Sequence, residues 1–166
     1  MTVRTALLSI AAVATLAACA PAPGPGMITG PAPFVPSDFA WSAQSGSASI
    51  DGRIAFRMDG QAFACTGSVG LTPDTPYTRQ RFQTLYGSTD SAAVPEAVVR
   101  ARTVADPNAD YRSFVRSTTC QDGRFRFEGL PDGGWFIIAP VSAGGDRTVL
   151  MQYIRTRQGT TATVTL

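Results

Sequence analysis

The chain has 166 residues, a length for one domain with a tail, and 44% hydrophobic against 16% charged residues excludes a disordered, solvating chain. Histidine is absent and all fourteen basic residues are Arg, which excludes imidazole catalysis, imidazole metal ligation, lysine Schiff bases and a P-loop lysine. A dispersed net charge of +2 is too weak for a nucleic-acid reader, so no nucleic-acid partner is expected.

Residues 1–18 carry one charge, Arg4, then an apolar run from Ala6 to Ala18 with no acid. This is the layout of a secretory signal peptide, and its apolar part is shorter than a bilayer-spanning helix. The segment ends in Leu16-Ala17-Ala18-Cys19, which resembles the lipobox of bacterial lipoproteins. That resemblance implies cleavage before Cys19 and acylation of Cys19, palmitate included, as the first residue of the mature chain. The membrane is then a partner through that acylated residue. Ala20, where an Asp would signal retention, implies the outer membrane facing the periplasm. The plainer alternative is an ordinary signal with an incidental Cys19.

Residues 19–46 follow as a tether. Six of the twelve prolines lie between Ala20 and Pro36, a composition that favours extended, solvated chain reaching from ~30 Å to ~80 Å. Phe34, Phe39 and Trp41 stand out at its end, either packing onto the domain or forming a docking motif.

From Ser47 the apolar period is two. Ile50, Ile54, Phe56 and Met58 alternate with charged residues and predict a half-buried strand. Asp59-Gly60 predicts a two-residue hairpin turn, which pairs Phe56 with Phe63, Ile54 with Cys65 and Ile50 with Val69. Asp122-Gly123 repeats the device and sets Cys120 opposite Phe125 and Thr118 opposite Phe127. Trp135 to Ala139 is apolar on both faces and predicts a central strand. Val149 to Ile154 and Thr161 to Leu166 complete the pattern. The expected fold is all-β: a single antiparallel sandwich of about six to eight strands over residues 47–166. Residues 72–117 interrupt it with one or two short helices. Pro76 to Gly87 is the first, capped by Thr75, with Phe82, Leu85 and Tyr86 on one side; Ala92 to Ala105 is ambiguous.

Gly123-Arg-Phe-Arg-Phe127 and the turn Leu130-Pro-Asp-Gly133, followed by an aromatic strand, resemble the signature of carboxypeptidase regulatory-like domains. Gly52 and Val69-Gly-Leu71 match the first hairpin of that pattern. The resemblance covers about a third of the chain and implies a transthyretin-like or Ig-like sandwich that is usually a non-catalytic appendage. Transthyretin-like hydrolases of hydroxyisourate use histidines and a Tyr-Arg-Gly-Ser terminus, both missing here. Cys65, Cys120 and the long insertion depart from the generic pattern.

Three constellations carry possible chemistry. Cys65 and Cys120, in an oxidising compartment, predict a disulfide across the sandwich contributing ~2–4 kcal/mol; a redox pair would need closer spacing and a base. Asp106, Asn108, Asp110 and Asp122 could ligate Ca²⁺ but lack an EF-hand's Gly and Glu, and turn formation explains them as well; no metal and no cofactor is expected. Arg79, Arg81, Arg100, Arg102, Arg112 and Arg116 crowd the insertion among Tyr77, Phe82, Tyr86 and Tyr111. Within it, Tyr77, Arg79, Arg81, Tyr86 and Arg112 are the candidate interaction surface.

The expected function is a non-enzymatic, lipid-anchored accessory protein of the cell envelope, making structural or protein contacts with envelope proteins. The alternative is a module binding glycans or another envelope polymer through Trp41, Trp135, Tyr77 and Tyr86. A hydrolase built on two carboxylates is the remaining alternative.

Overall fold

The computed structural model describes residues 32–104 and 110–166. Both Asp-Gly turns form, and all four residues adopt the positive φ that such turns require: 52° and 80° at Asp59 and Gly60, 50° and 71° at Asp122 and Gly123. At the first turn, β2 (Arg57–Met58) pairs with β3 (Gln61–Ala62). The Phe63 N–H donates to Phe56 O at 3.0 Å, and the two rings meet edge to face. The expected register holds that far and stops. Ile54 does not face Cys65 in a ladder, nor Ile50 Val69, because β1 (Ala48–Arg53) and β5 (Ser68–Pro73) belong to different sheets.

The second turn behaves in the same way. Gln121 and Arg124 exchange two backbone bonds of 2.9 Å, after which the strands part. β7 (Arg116–Thr119) joins β5, and β8 (Arg124–Leu130) joins β1, so the expected pairs Cys120–Phe125 and Thr118–Phe127 do not form. Both turns are corners between the two layers of the sandwich. A period of two buries the same residues whether they meet along a ladder or across a core, so the alternation could not separate the two cases.

The smaller sheet runs β11–β1–β8, with β11 (Thr161–Thr165) parallel to β1, the one departure from antiparallel pairing among the described strands. The larger runs β6 (Ser91–Pro95), β10 (Asp146–Thr156), β9 (Gly133–Ala143), β5, β7, with the short β4 (Ala64–Cys65) also on β9. The strands beyond the expected six to eight are the two-residue pieces β2, β3 and β4. A bulge at Gly67, φ 103°, separates β4 from β5 along β9.

β9 is central, and both its faces are covered. Trp135, Ile137, Ala139 and Val141 point into the core between the sheets, with Ile50, Leu71, Phe125, Phe127 and Leu130. Phe136, on the outer face, lies under α1 (Pro76–Tyr86), its ring 4.9 Å from that of Phe82. Burying Phe82 contributes about 2 kcal/mol. α1 starts where the sequence places it: the Thr78 N–H donates to Thr75 Oγ1 and the Thr75 N–H to Thr78 Oγ1, with Pro76 in the first turn and left-handed Gly87 ending the helix. The ambiguous stretch resolves into β6 and then α2 (Glu96–Ala101), with Pro95 at the junction.

Packing extends to the N-terminal side of Ser47. Pro36–Ala43 forms a 3₁₀ helix whose Phe39 is fully buried against Phe34, Tyr77, Tyr111 and Phe114. Trp41 meets Trp135 edge to face at 4.9 Å. Arg116 clasps this segment, its guanidinium donating to Ser42 O at 2.7 Å and Gln44 O at 3.2 Å while lying 5.7 Å from the Trp135 ring. Of the two roles open to these aromatics, they take the packing one.

The disulfide Cys65–Cys120 is present, its Cα atoms 6.0 Å apart. It does not cross the sandwich as expected. It joins β4 to the end of β7, both in the larger sheet, beside the Cys120 N–H···O bond to Gly67.

Candidate functional site

A groove of about 500 Å³ lies on the outer face of the larger sheet. Its floor comes from residues of three neighbouring strands that point away from the core. The register aligns Gly70 of β5 with Ile138 of β9 on one side and Ser117 of β7 on the other, and Pro140 continues the floor. Gly70 carries no side chain, and a Cβ there would meet only ordinary contacts, so the glycine keeps the floor low without being forced by backbone crowding. One wall is α1, through Phe82, Leu85 and Tyr86. The other is a 3₁₀ turn, Asp110–Phe114, through Tyr111 and Arg112, continued by Val115.

Tyr86 is half-buried in its wall, against the Phe82 ring at 5.4 Å. Burial pushes its hydroxyl up to about 12; nearby Tyr111 adds to this and Arg81 opposes it. The hydroxyl therefore stays protonated, able to donate, throughout the neutral range. Tyr111 is fixed from behind by Tyr77 at 5.6 Å and by Arg81, whose guanidinium lies 4.8 Å from the ring centre. Tyr77 in turn packs against Phe34 and Phe39, so the N-terminal segment buttresses this wall of the groove.

The predicted interaction residues do not form one surface. Tyr86 and Arg112 line the groove, whereas Tyr77 is buried in the aromatic cluster. Arg79 turns elsewhere: its Nε donates to Asp74 Oδ1 at 3.0 Å, and its guanidinium lies over Tyr153 at 5.3 Å. The Asp74 carboxylate accounts for the raised pKa of Arg79, against an opposing desolvation. The aromatics proposed for glycan stacking divide as well. Trp135 and Tyr77 are buried, while Trp41 and Tyr86 keep exposed surface but attach to different faces of the larger sheet. The floor residues Gly70, Ser117, Ile138 and Pro140 carry no local sequence signal, since only the strand order brings them together.

Other clusters are less suited to a ligand. Beside α2, Glu96 is paired with Arg100 and Arg147, and the hydrogen-bonding guanidinium of Arg100 holds its carboxyl below the usual range. Asp51 and Glu128 both pair with Arg126 on an exposed strand face rather than facing each other in a cavity. Among the described residues no group of three acidic or Cys side chains is placed to hold a metal, and Asp122 serves its turn. Asp106 and Asn108 lie outside the described residues, as do Cys19 and the whole signal segment. No helix among the described residues is long and apolar enough to cross a membrane.

No family model matches the sequence, and no curated protein matches it. Among solved structures, the chain is similar to a candidate carbohydrate-binding protein from Pseudomonas aeruginosa, with a TM-score of 0.58 over 80% of this chain and 96% of that one, at 20% identity. At that identity the likeness establishes the fold, an all-β sandwich.

Proposed function

We propose that this protein is a non-catalytic, lipid-anchored binding module of the bacterial cell envelope, related to carboxypeptidase regulatory-like domains. Its ligand surface is the outer-face groove, and its ligand is a glycan or a saccharide-bearing envelope polymer. The observation that carries this reading is the groove itself: an open trough with tyrosines in both walls, exposed hydroxyls at Ser68 and Ser117, and a single charged group at its lip. Sugars bind where ring faces and hydroxyl partners converge in a preformed concavity. The fold's likeness to a candidate carbohydrate-binding protein adds weak support. The lipobox and the Pro-rich segment support the anchored placement.

A purely structural or protein-contact role draws less support. It would use Arg79 and Arg81, and these already have partners within the chain, Asp74 and the Tyr111 ring respectively. A carboxylate-based hydrolase draws less still, since Asp51 and Glu128 are both committed to Arg126.

Ser117→Trp tests the groove reading. Ser117 is an exposed residue of the edge strand β7, so a bulky side chain fills the trough without entering the core. Wild-type protein should retain envelope polysaccharide on a glycan array, and the variant should lose that signal while melting at the same temperature. Equal retention by both proteins would show that the groove is not the ligand surface.

A further inference from the structure

We infer that the groove selects an acidic saccharide, a sugar unit bearing a carboxylate, with Arg112 as the residue that meets the charge. The inference rests on the groove being a saccharide site and names the class of sugar it takes.

The cations of the insertion are mostly engaged by other groups of the same chain. Arg79 pairs with Asp74, Arg100 pairs with Glu96, Arg102 donates to Leu85 O at 2.7 Å, and Arg116 holds the carbonyls of Ser42 and Gln44. Arg81 lies over Tyr111. Arg112 differs from all of these. Its side chain is exposed and, among the described residues, makes no hydrogen bond, ion pair or ring contact, yet it lines the groove. Among the described residues the groove's lining holds no carboxylate, so nothing in it competes for that guanidinium.

A planar guanidinium with a fork of donors fits a carboxylate bidentately. One cation also matches one carboxylate in charge, whereas a phosphate monoester carries −1.5 to −2 and calls for more than one. The Tyr86 hydroxyl, held protonated by burial, remains a donor beside the same trough and does not repel an anion. Stacking on Tyr86, hydroxyl contacts along the floor and one charge-assisted bond at the lip together describe a uronic-acid ligand.

The test is calorimetry on the full-length protein in mild detergent. The probes are trimers of galacturonate, glucuronate, mannuronate and guluronate, the methyl esters of the same trimers, and galactose 6-phosphate. At least one acid trimer should bind about tenfold tighter than its own ester, the scale of a charge-assisted hydrogen bond. Arg112→Ala should erase that difference, and Arg112→Lys should keep part of it. Esters binding as tightly as acids, provided Ser117→Trp abolishes both, would overturn the charge selection and leave the saccharide groove standing. Binding of no trimer in either form would overturn both readings. Tighter binding of the sugar phosphate than of every acid trimer would overturn the assignment to carboxylates.

Discussion

Tyr86 shows how one side chain's surroundings become measurable. Its hydroxyl is pushed up to about 12 by burial, while in an unfolded chain it titrates near 10. Between those values the folded protein keeps a proton that the unfolded chain has lost. The contribution of this group is therefore fully present below pH 10 and is lost as pH rises toward 12, by up to about 1.4 kcal/mol per pH unit. Tyr86→Phe should make the fall in melting temperature between pH 9.5 and 11.5 shallower than in the wild type. Parallel curves would contradict the burial assigned to this hydroxyl. The residue types of the site were partly legible in the sequence: Tyr86 and Arg112 stand out as an aromatic and a cation in an irregular insertion. What could not be read is which arginines are already engaged. Asp74 lies only five residues from Arg79, yet so does Thr84, and no spacing rule tells one from the other without the helix geometry.

At the level of elements, legibility followed the range of the interactions involved. α1 was readable because its capping box, its proline and its terminal glycine act within a few residues of one another. The two Asp-Gly turns were readable for the same reason. The assignment of strands to sheets was not, since β1 and β5 are separated by a corner that alternation cannot see, and β11 finds β1 from the far end of the chain. The disulfide lies between these cases: the pair was expected from the count of two remaining cysteines and an expected oxidising compartment, but its place within the larger sheet depended on the strand order. It ties β4, which adds only two residues to β9, to β7, an edge strand. Cys65→Ser with Cys120→Ser should lower stability by ~2–4 kcal/mol in urea titrations, with retention of the folded state in mild conditions. Because β7 carries Ser117 and borders Arg112, the double variant should also bind saccharide more weakly. A double variant as stable as the wild type would show that other contacts hold this edge.

For the molecule as a whole, the N-terminal segment is part of the support of the groove. Its packed part, from Phe34 to Trp41, supports Tyr77 and through it the Tyr111 wall. Cys19→Ala should move the protein from the detergent phase to the aqueous phase in a partition experiment, since two or three acyl chains hold far more firmly than a protein surface without them. Its melting temperature should stay unchanged, because the packing of the described residues does not involve the anchor. Partition of the variant into detergent at the wild-type level would contradict lipidation at Cys19.

The central claim, that the outer-face groove is the ligand surface, is tested most directly by nuclear magnetic resonance on the labelled protein titrated with envelope polysaccharide fragments. Shift changes should saturate together at Ser68, Gly70, Tyr86, Arg112 and Ser117, with the smaller sheet undisturbed. Saturating changes confined to Asp51, Arg126 and Thr163 on the smaller sheet would contradict it.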